Sequence, residues 1–408
     1  MNITFLSPPP NLFGGERVLA IYARELIELG HDVEIVCYQK RRPPFRERFK
    51  KRIIDSASLP RRFWDGAETR KQPASHYEAY GVPYRTVDHD FPISDDDLQD
   101  ADIVMASFWK TAIWAANLDP AKGKRFYCVQ HDEGAIHGEA ADDSYRLPLR
   151  QIYVSDWIAN RIRQRHPDVR GEVILNAVDR DEFDCGKRSK PDAPVFGMMW
   201  SPDFEKKGTD VAIKAIKQAK QIRDDICLIG YGATMPESLE WFDQFCHQPS
   251  RSELANLYRQ CTAWLFPSRF EGYGLPIIES LAARTPVIGT PSGAGANLIE
   301  KGGGRLVEIG DANAMSDAMI EFATINETEW AARSERAGEL VATMTWQSSA
   351  KRLEAAFLSA VEERSCVPPG APAKACTREG LAGDDDASQD RAAIEPASRS
   401  VIDQGSPA

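Results

Sequence analysis

Two glutamates flank a glycine-rich loop that runs directly into a helical pattern, in the stretch Glu271-Gly272-Tyr273-Gly274-Leu275-Pro276-Ile277-Ile278-Glu279. Pro276 suits the first position of a helix, because its missing N–H would have no partner there. The backbone N–H groups of Gly274, Leu275 and Ile277 are then expected to point out of the helix start, where they attract a phosphate group. The spacing lets the two carboxylates contact hydroxyls on either side of a bound diphosphate.

Alternating strand and helix patterns position this loop. In the first half, residues 2–6 form a predicted buried strand, a helical pattern runs from about residue 16 to 29 and ends at Gly30, and residues 33–37 form a second strand. A strand, a helix and a strand in succession imply a parallel sheet. Further strands are predicted at 102–106, 125–129, 151–154 and 172–175.

The second half repeats the same alternation after a polar stretch that ends near residue 194. Strands are predicted at 195–199, 226–229, 263–266 and 286–289, and helices at about 209–221, 252–260 and 276–284. The sequence therefore predicts an α/β protein with two doubly wound, Rossmann-like domains. Ligands of such sheets bind at the carboxyl ends of the strands, so a central cleft between the domains is the expected site.

The predicted boundaries follow from these patterns and from the composition of the chain end. We expect an N-terminal domain at 1–186, a C-terminal domain at 187–345, a terminal helix at 346–364 and a tail at 365–408. The tail is rich in Pro, Ala, Gly, Ser and Asp and poor in large apolar residues. Such a segment cannot bury enough apolar surface to offset its ordering entropy, so we expect it to be disordered.

Composition narrows the function classes. A chain of 408 residues with 42% hydrophobic and 27% charged residues is typical of a globular protein, which excludes fibrous classes. No apolar run approaches the length of about 20 residues that spans a bilayer, so we expect a cytoplasmic protein. Eight cysteines without a CxxC pair argue against a zinc site and a disulfide framework. A net charge of -11 disfavours nucleic-acid binding.

A local basic run departs from this acidic average. Residues 40–52, KRRPPFRERFKKR, hold eight Lys and Arg residues against the single Glu47. The run is either a solvated surface loop or a contact with an anionic membrane surface or a lipid pyrophosphate, since each cation near such a surface contributes about 1 kcal/mol. The second alternative would place the protein peripherally at the inner face of a membrane.

The spacing of Glu271 and Glu279 resembles the E-x7-E motif of the retaining family-4 nucleotide-sugar glycosyltransferases, which have the GT-B fold of two Rossmann-like domains. The resemblance covers about residues 1–360. It extends to the following positions: Gly14-Gly15, Val154-Ser155-x-Trp157, Asn176-Ala177-Val178-Asp179 with Phe183, Lys207-Gly208, Thr285-Pro286-Val287-Ile288, Gly293 and Gly295. Trp346 resembles the start of the segment that crosses back to the N-terminal domain in this family.

This resemblance implies a donor site for a UDP- or GDP-linked sugar in the C-terminal domain and an acceptor site in the N-terminal domain. Glu279 would hold the nucleotide ribose, and Glu271 would contact hydroxyls of the donor sugar. The sugar and the diphosphate would be lined by four loop residues, Gly272, Tyr273, Gly274 and Leu275. Two residues of the N-terminal domain, Gly14 and Gly15, would approach from the other side.

The resemblance also implies roles for three residues outside the loop. Lys207 corresponds to the phosphate-binding lysine, which would stabilise the departing nucleoside diphosphate without a metal ion or cofactor. The family usually carries an arginine where this chain has Ser201, so Arg269 or a residue of the other domain would have to replace that cation, or Ser201 would donate a neutral hydrogen bond. His131 matches the histidine that faces the donor sugar.

The implied function is a retaining, metal-independent glycosyltransferase acting on a glycan or a lipid-linked acceptor, typical of bacterial polysaccharide or glycolipid assembly. One alternative is a catalytically silent sugar-nucleotide-binding or scaffold protein of the same fold, suggested by Ser201. The other is a dinucleotide-dependent dehydrogenase, which the first turn disfavours because it reads Phe13-Gly14-Gly15-Glu16-Arg17-Val18 in place of G-x-G-x-x-G.

Overall fold

The computed structural model describes residues 1–39, 74–90 and 92–363 of the chain. Within them, the N-terminal half forms a seven-stranded parallel sheet in the order β3-β2-β1-β4-β5-β6-β7. The strands are β1 Asn2–Ser7, β2 Asp32–Gln39, β3 Tyr84–Asp90, β4 Ile103–Ala106, β5 Lys124–Val129, β6 Arg150–Tyr153 and β7 Gly171–Val173. The helices are α1 Gly14–Glu28, α2 His76–Ala79, α3 Trp109–Asn117, α4 Glu133–His137, α5 Glu139–Asp143, α6 Asp156–Arg165 and α7 Arg180–Phe183.

The second sheet, also within the described residues, has six parallel strands in the order β10-β9-β8-β11-β12-β13. Its strands are β8 Val195–Trp200, β9 Cys227–Gly232, β10 Gln244–His247, β11 Ala263–Phe266, β12 Val287–Gly289 and β13 Arg305–Leu306. The helices of this half are α8 Phe204–Lys207, α9 Thr209–Ile222, α10 Arg251–Gln260, α11 Leu275–Ala282, α12 Gly295–Leu298, α13 Ala312–Thr324 and α14 Glu327–Leu340. A final helix, α15, spans Trp346–Glu362.

The predicted fold class is confirmed, because each half is a parallel sheet with helical crossovers. In β1 five consecutive side chains are buried, which requires cover on both faces of the sheet. The strand order reverses between β1 and β4 and again between β8 and β11. At such a switch point the loops after the two strands diverge and leave a crevice, so each sheet offers a binding site at the carboxyl ends of its two central strands.

Three strands and one helix start differ from the prediction. Strands β3, β10 and β13 were not predicted, because Val87 is the one buried side chain among residues 84–89 of β3, and the other two strands are short. Helix α1 begins at Gly14, so Gly14 and Gly15 form its first turn and do not belong to a loop ahead of it. The basic run at 40–52 and the predicted tail at 365–408 lie outside the described residues.

The last helix, α15, packs against the N-terminal half of the chain. Phe357 makes an edge-on ring contact with Phe126 of β5 at 4.8 Å between centroids, and Glu354 accepts a 2.8 Å hydrogen bond from His31 ahead of β2. Trp346 packs edge-on against Tyr22 of α1. Across the described ranges, no helix combines the length and the apolar character that crossing a membrane requires.

Candidate active site

The loop 267–274 follows β11 at the switch point of the second sheet and leads into α11. Gly274 has a φ of +88°, a left-handed conformation that favours glycine, and it turns the chain into the helix at Leu275. Pro276 is the second residue of α11, one position later than predicted. The N–H of Ile277 donates to the carbonyl oxygen of Gly274 at 2.9 Å, so the prediction that it points out of the helix start is wrong.

Glu271 and Lys207 form an ion pair beside this loop. The Nζ atom of Lys207, the last residue of α8, lies 2.5 Å from Oε1 of Glu271, which also accepts a 3.3 Å hydrogen bond from the Ser268 hydroxyl. Glu271 is 5% exposed and Lys207 is more open. The pair therefore places a cation at the edge of the crevice, where an anionic ligand can share it.

Glu279 lies at the centre of a buried ionic network that joins the two halves of the chain. Its Oε1 atom accepts hydrogen bonds from Arg17 of α1 at 2.7 Å and from Arg251 of α10 at 3.1 Å, and its Oε2 accepts one from the Tyr258 hydroxyl at 3.0 Å. Burial opposes ionisation, but Arg251 and Arg17 together hold the pKa of Glu279 below its usual range. A carboxylate has about four acceptor sites, so the anion retains capacity for a ligand hydroxyl.

Three partners of Glu279 were not predicted from the sequence: Arg17, Arg251 and Tyr258. Arg17 follows the Gly14-Gly15 pair by two residues, which was a signal that the first turn of α1 carries a cation. Its distance of 262 residues from Glu279 along the chain gave no hint of their contact. Arg251 begins α10, directly after Ser250 of a capping box. The capping box accounts for the Ser-Arg-Ser-Glu sequence at this helix start without giving Arg251 a role in a site.

On the donor-binding role that the resemblance implies for Glu279, we expect Arg17→Ala to raise the KM for the sugar donor roughly tenfold, because truncating one partner of a buried charge pair loosens both Glu279 and the contact between the halves. Arg17→Lys keeps a cation and should retain most of the affinity. Steady-state kinetics of both variants checks this expectation. A lower KM in Arg17→Ala would contradict it and would mean that Arg17 competes with the donor for Glu279.

The loop also contacts the N-terminal half directly through backbone atoms. Ser155, which caps α6, donates a hydrogen bond to the carbonyl oxygen of Gly272 at 2.7 Å, and the Tyr273 hydroxyl donates to the carbonyl oxygen of Asn176 at 2.6 Å. A Cβ atom on Gly272 would collide with the carbonyl oxygen of Gln130. This position therefore requires glycine because backbone approaches backbone.

Gly14 faces the first turn of α11, and Gly15 faces Gln130, whose carbonyl oxygen lies against Gly272. A Cβ atom on Gly14 would meet the Leu275 side chain at 3.7 Å, and one on Gly15 would meet the Gln130 side chain at 3.4 Å. The first turn of α1 thus lies opposite the first turn of α11. The structure brings together the predicted residues of the loop and the two glycines of the other domain.

His131 follows β5 and lies against Gly272, with its Nδ1 atom 3.0 Å from the place of a Cβ atom on that glycine. Burial lowers the pKa of His131 to about 4, with Glu271 opposing this shift and Lys207 adding to it. The imidazole is therefore neutral at physiological pH. A neutral ring holds one N–H donor and one acceptor, which suits a hydrogen bond to a hydroxyl.

Neither Ser201 nor Arg269 supplies the second cation that the resemblance implies beside Lys207. The Ser201 hydroxyl accepts a 3.2 Å hydrogen bond from the N–H of Asp203, and its carbonyl oxygen accepts one from Thr209, so Ser201 holds the turn after β8. Arg269 forms two 2.8 Å hydrogen bonds with the carboxylate of Asp210. The alternative that Arg269 replaces the arginine expected at position 201 is therefore not supported by this geometry.

Glu133 is a buried carboxyl group of the N-terminal half that the sequence analysis did not select. Its Oε2 atom accepts hydrogen bonds from the N–H of Trp109 at 2.5 Å and from the Tyr127 hydroxyl at 2.7 Å. Burial raises the pKa of Glu133 to about 8, against these two hydrogen bonds. The nearby rings of Trp109, Phe108 and His137 contact each other at the carboxyl ends of β4 and β5.

We expect Glu133→Gln to stabilise the protein at alkaline pH. The folded-state pKa of about 8 lies above the unfolded value of 4.5, so the wild-type free energy of unfolding falls as pH rises between these values. Glutamine carries no charge, and its Oε1 can accept both hydrogen bonds. Urea denaturation should show a gain of about 3 to 5 kcal/mol at pH 9 and almost none at pH 4.5. Equal gains at both pH values would contradict this assignment.

Two family models match the chain. The description Glycosyltransferase Family 4 matches residues 14–182, and Glycosyl transferases group 1 matches residues 191–324. Among relatives, the chain is 30% identical over 188 residues to an uncharacterised glycosyltransferase of Methanocaldococcus jannaschii, which covers 44% of this chain and 50% of that protein. It is 25% identical over 179 residues to the lipopolysaccharide core biosynthesis mannosyltransferase LpsB of Rhizobium meliloti, covering 38% and 51%.

Solved structures share the fold at low identity. HepE of Anabaena in complex with UDP-glucose has a TM-score of 0.63 and 15% identity, covering 88% of this chain and 99% of HepE. WaaG, a glycosyltransferase involved in lipopolysaccharide biosynthesis, has a TM-score of 0.59 and 14% identity over 88% and 99%. The chain spans about half of the length of the Methanocaldococcus jannaschii glycosyltransferase and of LpsB. With both sheets matched by family models and by this fold, the chain belongs to the group 1, family 4-type glycosyltransferases of the GT-B fold.

Proposed function

We propose that this protein is a retaining glycosyltransferase that moves a sugar from a UDP- or GDP-linked donor to a hydroxyl of a glycan or lipid-linked acceptor. The observation that carries the proposal is the placement of Lys207, Glu271 and Glu279 around one glycine loop at the switch point of the second sheet. This arrangement suits a nucleoside-diphosphate sugar, because the cation can meet the diphosphate, Glu271 the sugar and Glu279 the ribose.

In this proposal Glu279 accepts the ribose hydroxyls. It is ionised, buried and fixed by three donors, so it loses little conformational entropy when a ligand binds. The Gly272–Leu275 segment and the first turn of α1 approach the diphosphate from opposite sides. Since Gly14 and Gly15 have no side chains, the backbone of α1 can come close to the phosphate oxygens.

Lys207 supplies the positive charge that the departing nucleoside diphosphate requires, so the proposed reaction uses neither a metal ion nor a cofactor. A preorganised cation stabilises charge that develops in the transition state more than charge already present in the ground state. Glu271 positions Lys207 through the 2.5 Å ion pair and presents its second oxygen to the donor sugar. His131, neutral and facing the same loop, would hydrogen-bond a hydroxyl of that sugar.

Retention gives the proposal a stereochemical test. The acceptor hydroxyl would attack from the face that the diphosphate leaves. The bond to the diphosphate oxygen would break as the new glycosidic bond forms, and the departing diphosphate would take the hydroxyl proton. Slow hydrolysis of the donor should then release a sugar with the anomeric configuration of the donor. Proton NMR taken before the anomers equilibrate reads this outcome, and release of the opposite anomer would contradict retention.

Two relatives support the proposed substrates. LpsB is described as a mannosyltransferase of lipopolysaccharide core biosynthesis, which supports a carbohydrate acceptor, and HepE was solved with UDP-glucose, which supports a nucleotide-sugar donor. The ring cluster of Phe108, Trp109 and His137 offers aromatic faces beside the cleft on the proposed acceptor side. Aromatic faces pack against the C–H surface of a sugar ring. The proposed membrane contact rests on residues 40–52 alone.

A second candidate is a silent binding protein of the same fold, favoured by the neutral Ser201 and by the engagement of Arg269 with Asp210. Incubation with a panel of UDP- and GDP-sugars, with and without membrane glycolipid extract, separates the two. The enzyme should release UDP or GDP and lose that activity in Lys207→Ala. Donor binding without release under any condition would support the silent protein.

A further inference from the structure

Phe270 of the loop 267–274, called the donor loop below, contacts helix α6 of the N-terminal half. Its ring centroid lies 5.2 Å from that of Trp157, with the two ring planes at 81°. The guanidinium carbon of Arg161 lies 5.2 Å from the Phe270 centroid and 4.7 Å from the Trp157 centroid. Trp157 and Arg161 are four residues apart on α6, so their side chains share one face of the helix. A cation within about 6 Å of a ring centroid is attracted to the ring, so Arg161 holds both rings.

A buried anion of the N-terminal half fixes the Arg161 guanidinium. Nε of Arg161 donates a 2.9 Å hydrogen bond to Oδ2 of Asp132, whose side chain is 0% exposed. Arg165, one turn further along α6, donates to the same carboxylate from Nη1 at 2.9 Å and also from Nη2. Burial opposes ionisation, but Arg165 and Arg161 hold the pKa of Asp132 below its usual range. Arg161 is thus tied to a fixed charge while it remains against the Phe270 ring.

Both chain neighbours of Glu271 are held by α6. Phe270, which precedes it, contacts Arg161. Gly272, which follows it, accepts the 2.7 Å hydrogen bond from Ser155. A functional side chain is placed accurately when packing and hydrogen bonds lock the residues around it, so α6 determines where Glu271 lies in the crevice.

We propose that Arg161 is a positioning residue that holds the donor loop, and with it Glu271, against the N-terminal half. It acts through the Phe270 ring and not on the substrate. The N–H of Phe270 donates to the carbonyl oxygen of Lys206 at 3.1 Å, so the held loop also fixes the end of α8, where Lys207 lies. The effect of this contact on sugar transfer rests on the proposed function, whereas the contact itself does not.

Arg165 offers a matched control, because it binds the same carboxylate at a similar exposure. The side chains of Arg161 and Arg165 are 38% and 34% exposed, and Arg165 also pairs with Asp142. A lysine at either position keeps a cation for Asp132. The compact ammonium of lysine cannot bind the carboxylate and contact the rings together, as the broad guanidinium does. Arg161→Lys therefore removes the hold on Phe270, and Arg165→Lys leaves it in place.

Hydrogen exchange of the full chain, read by mass spectrometry in peptides that cover residues 267–274, tests the hold on the loop without requiring activity. We expect Arg161→Lys to speed exchange there by about threefold to tenfold, because losing a cation–π contact makes local opening more frequent. Arg165→Lys should stay within about twofold of the wild type, and circular dichroism verifies that both variants fold. No acceleration in Arg161→Lys, or equal acceleration in both variants, would overturn the proposal.

Steady-state hydrolysis of the sugar donor separates positioning from a purely structural role. Arg161→Lys should lower kcat by about tenfold and leave KM within about threefold, since a displaced loop slows the chemical step more than it weakens donor binding. Phe270→Leu should lower kcat to a similar extent, and the double variant should fall little further, because both changes remove the same contact. Arg165→Lys should keep kcat within about twofold of the wild type.

Three kinetic results would overturn the proposal: an unchanged kcat in Arg161→Lys, a loss confined to KM, or fully additive losses in the double variant with Phe270→Leu. Failure of the proposed function has a different signature. In that case the wild type itself would release no nucleoside diphosphate from any UDP- or GDP-sugar, and the exchange comparison between Arg161→Lys and Arg165→Lys would decide whether Arg161 holds the loop.

Discussion

Lys207→Ala should lower turnover of the sugar donor by about 10²- to 10³-fold while changing donor affinity by less than about tenfold. The reason is that a fixed cation near the leaving diphosphate acts mainly on the charge that grows in the transition state. Measuring kcat and KM separately checks this, because loss of a ground-state contact would appear in KM. A kcat within about threefold of the wild type would contradict the role proposed for Lys207.

Stability provides the control for this variant. Removing Lys207 leaves the carboxylate of Glu271, which is 5% exposed, without its 2.5 Å partner, and an uncompensated buried charge is destabilising. Lys207→Ala combined with Glu271→Gln removes both charges and should recover much of the lost melting temperature. It should not recover turnover. Recovery of both would mean that the single variant was inactive because it unfolded.

Gly272→Ala should lower turnover by about 100-fold or more with a small effect on the stability of each half. The added Cβ atom would collide with the carbonyl oxygen of Gln130, so the loop and the N-terminal half must separate. A displacement of about 1 Å in a catalytic arrangement typically reduces rate by this amount. Donor binding should weaken less than turnover, because Glu279 and its partners remain on the other side of the loop.

Ser155→Ala is the matched control for Gly272→Ala. It removes the 2.7 Å hydrogen bond to the carbonyl oxygen of Gly272 but adds no atom to the contact. A loss of about fivefold to tenfold is expected, since a buried hydrogen bond contributes about 1 kcal/mol. If Gly272→Ala were as active as Ser155→Ala, the close approach of the two halves would not be required for turnover.

The fold was largely predictable because its central strands are continuous apolar runs. The strand at 263–266, Ala-Trp-Leu-Phe, matches β11 at both ends, and all four side chains are buried. β3, Tyr-Arg-Thr-Val-Asp-His-Asp, was missed because its sequence does not alternate between apolar and polar residues; its pairing with β2 holds it in the sheet. Local pattern thus identified the strands that are buried on both faces and missed three of the four edge strands, β3, β10 and β13.

The candidate site was predictable as a set of residues but not as a set of contacts. The glutamate spacing and the glycine loop indicated Glu271 and Glu279, yet their partners Lys207 and Arg17 come from other elements far along the chain. The same limit applies to Ser155, a residue type that favours helix caps. It does cap α6, and it also donates to Gly272, a second role that depends on how the two halves meet.

The most direct test of the proposed function is whether a nucleotide sugar binds at Glu279. Saturation-transfer NMR of the purified chain against UDP- and GDP-sugars, with Glu279→Ala as control, reads this at the ribose protons. We expect the wild type to bind one donor, and we expect this binding to weaken by about tenfold or more when the charged hydrogen-bond acceptor is removed. Binding of no donor by a folded protein, or equal binding by wild type and Glu279→Ala, would contradict it.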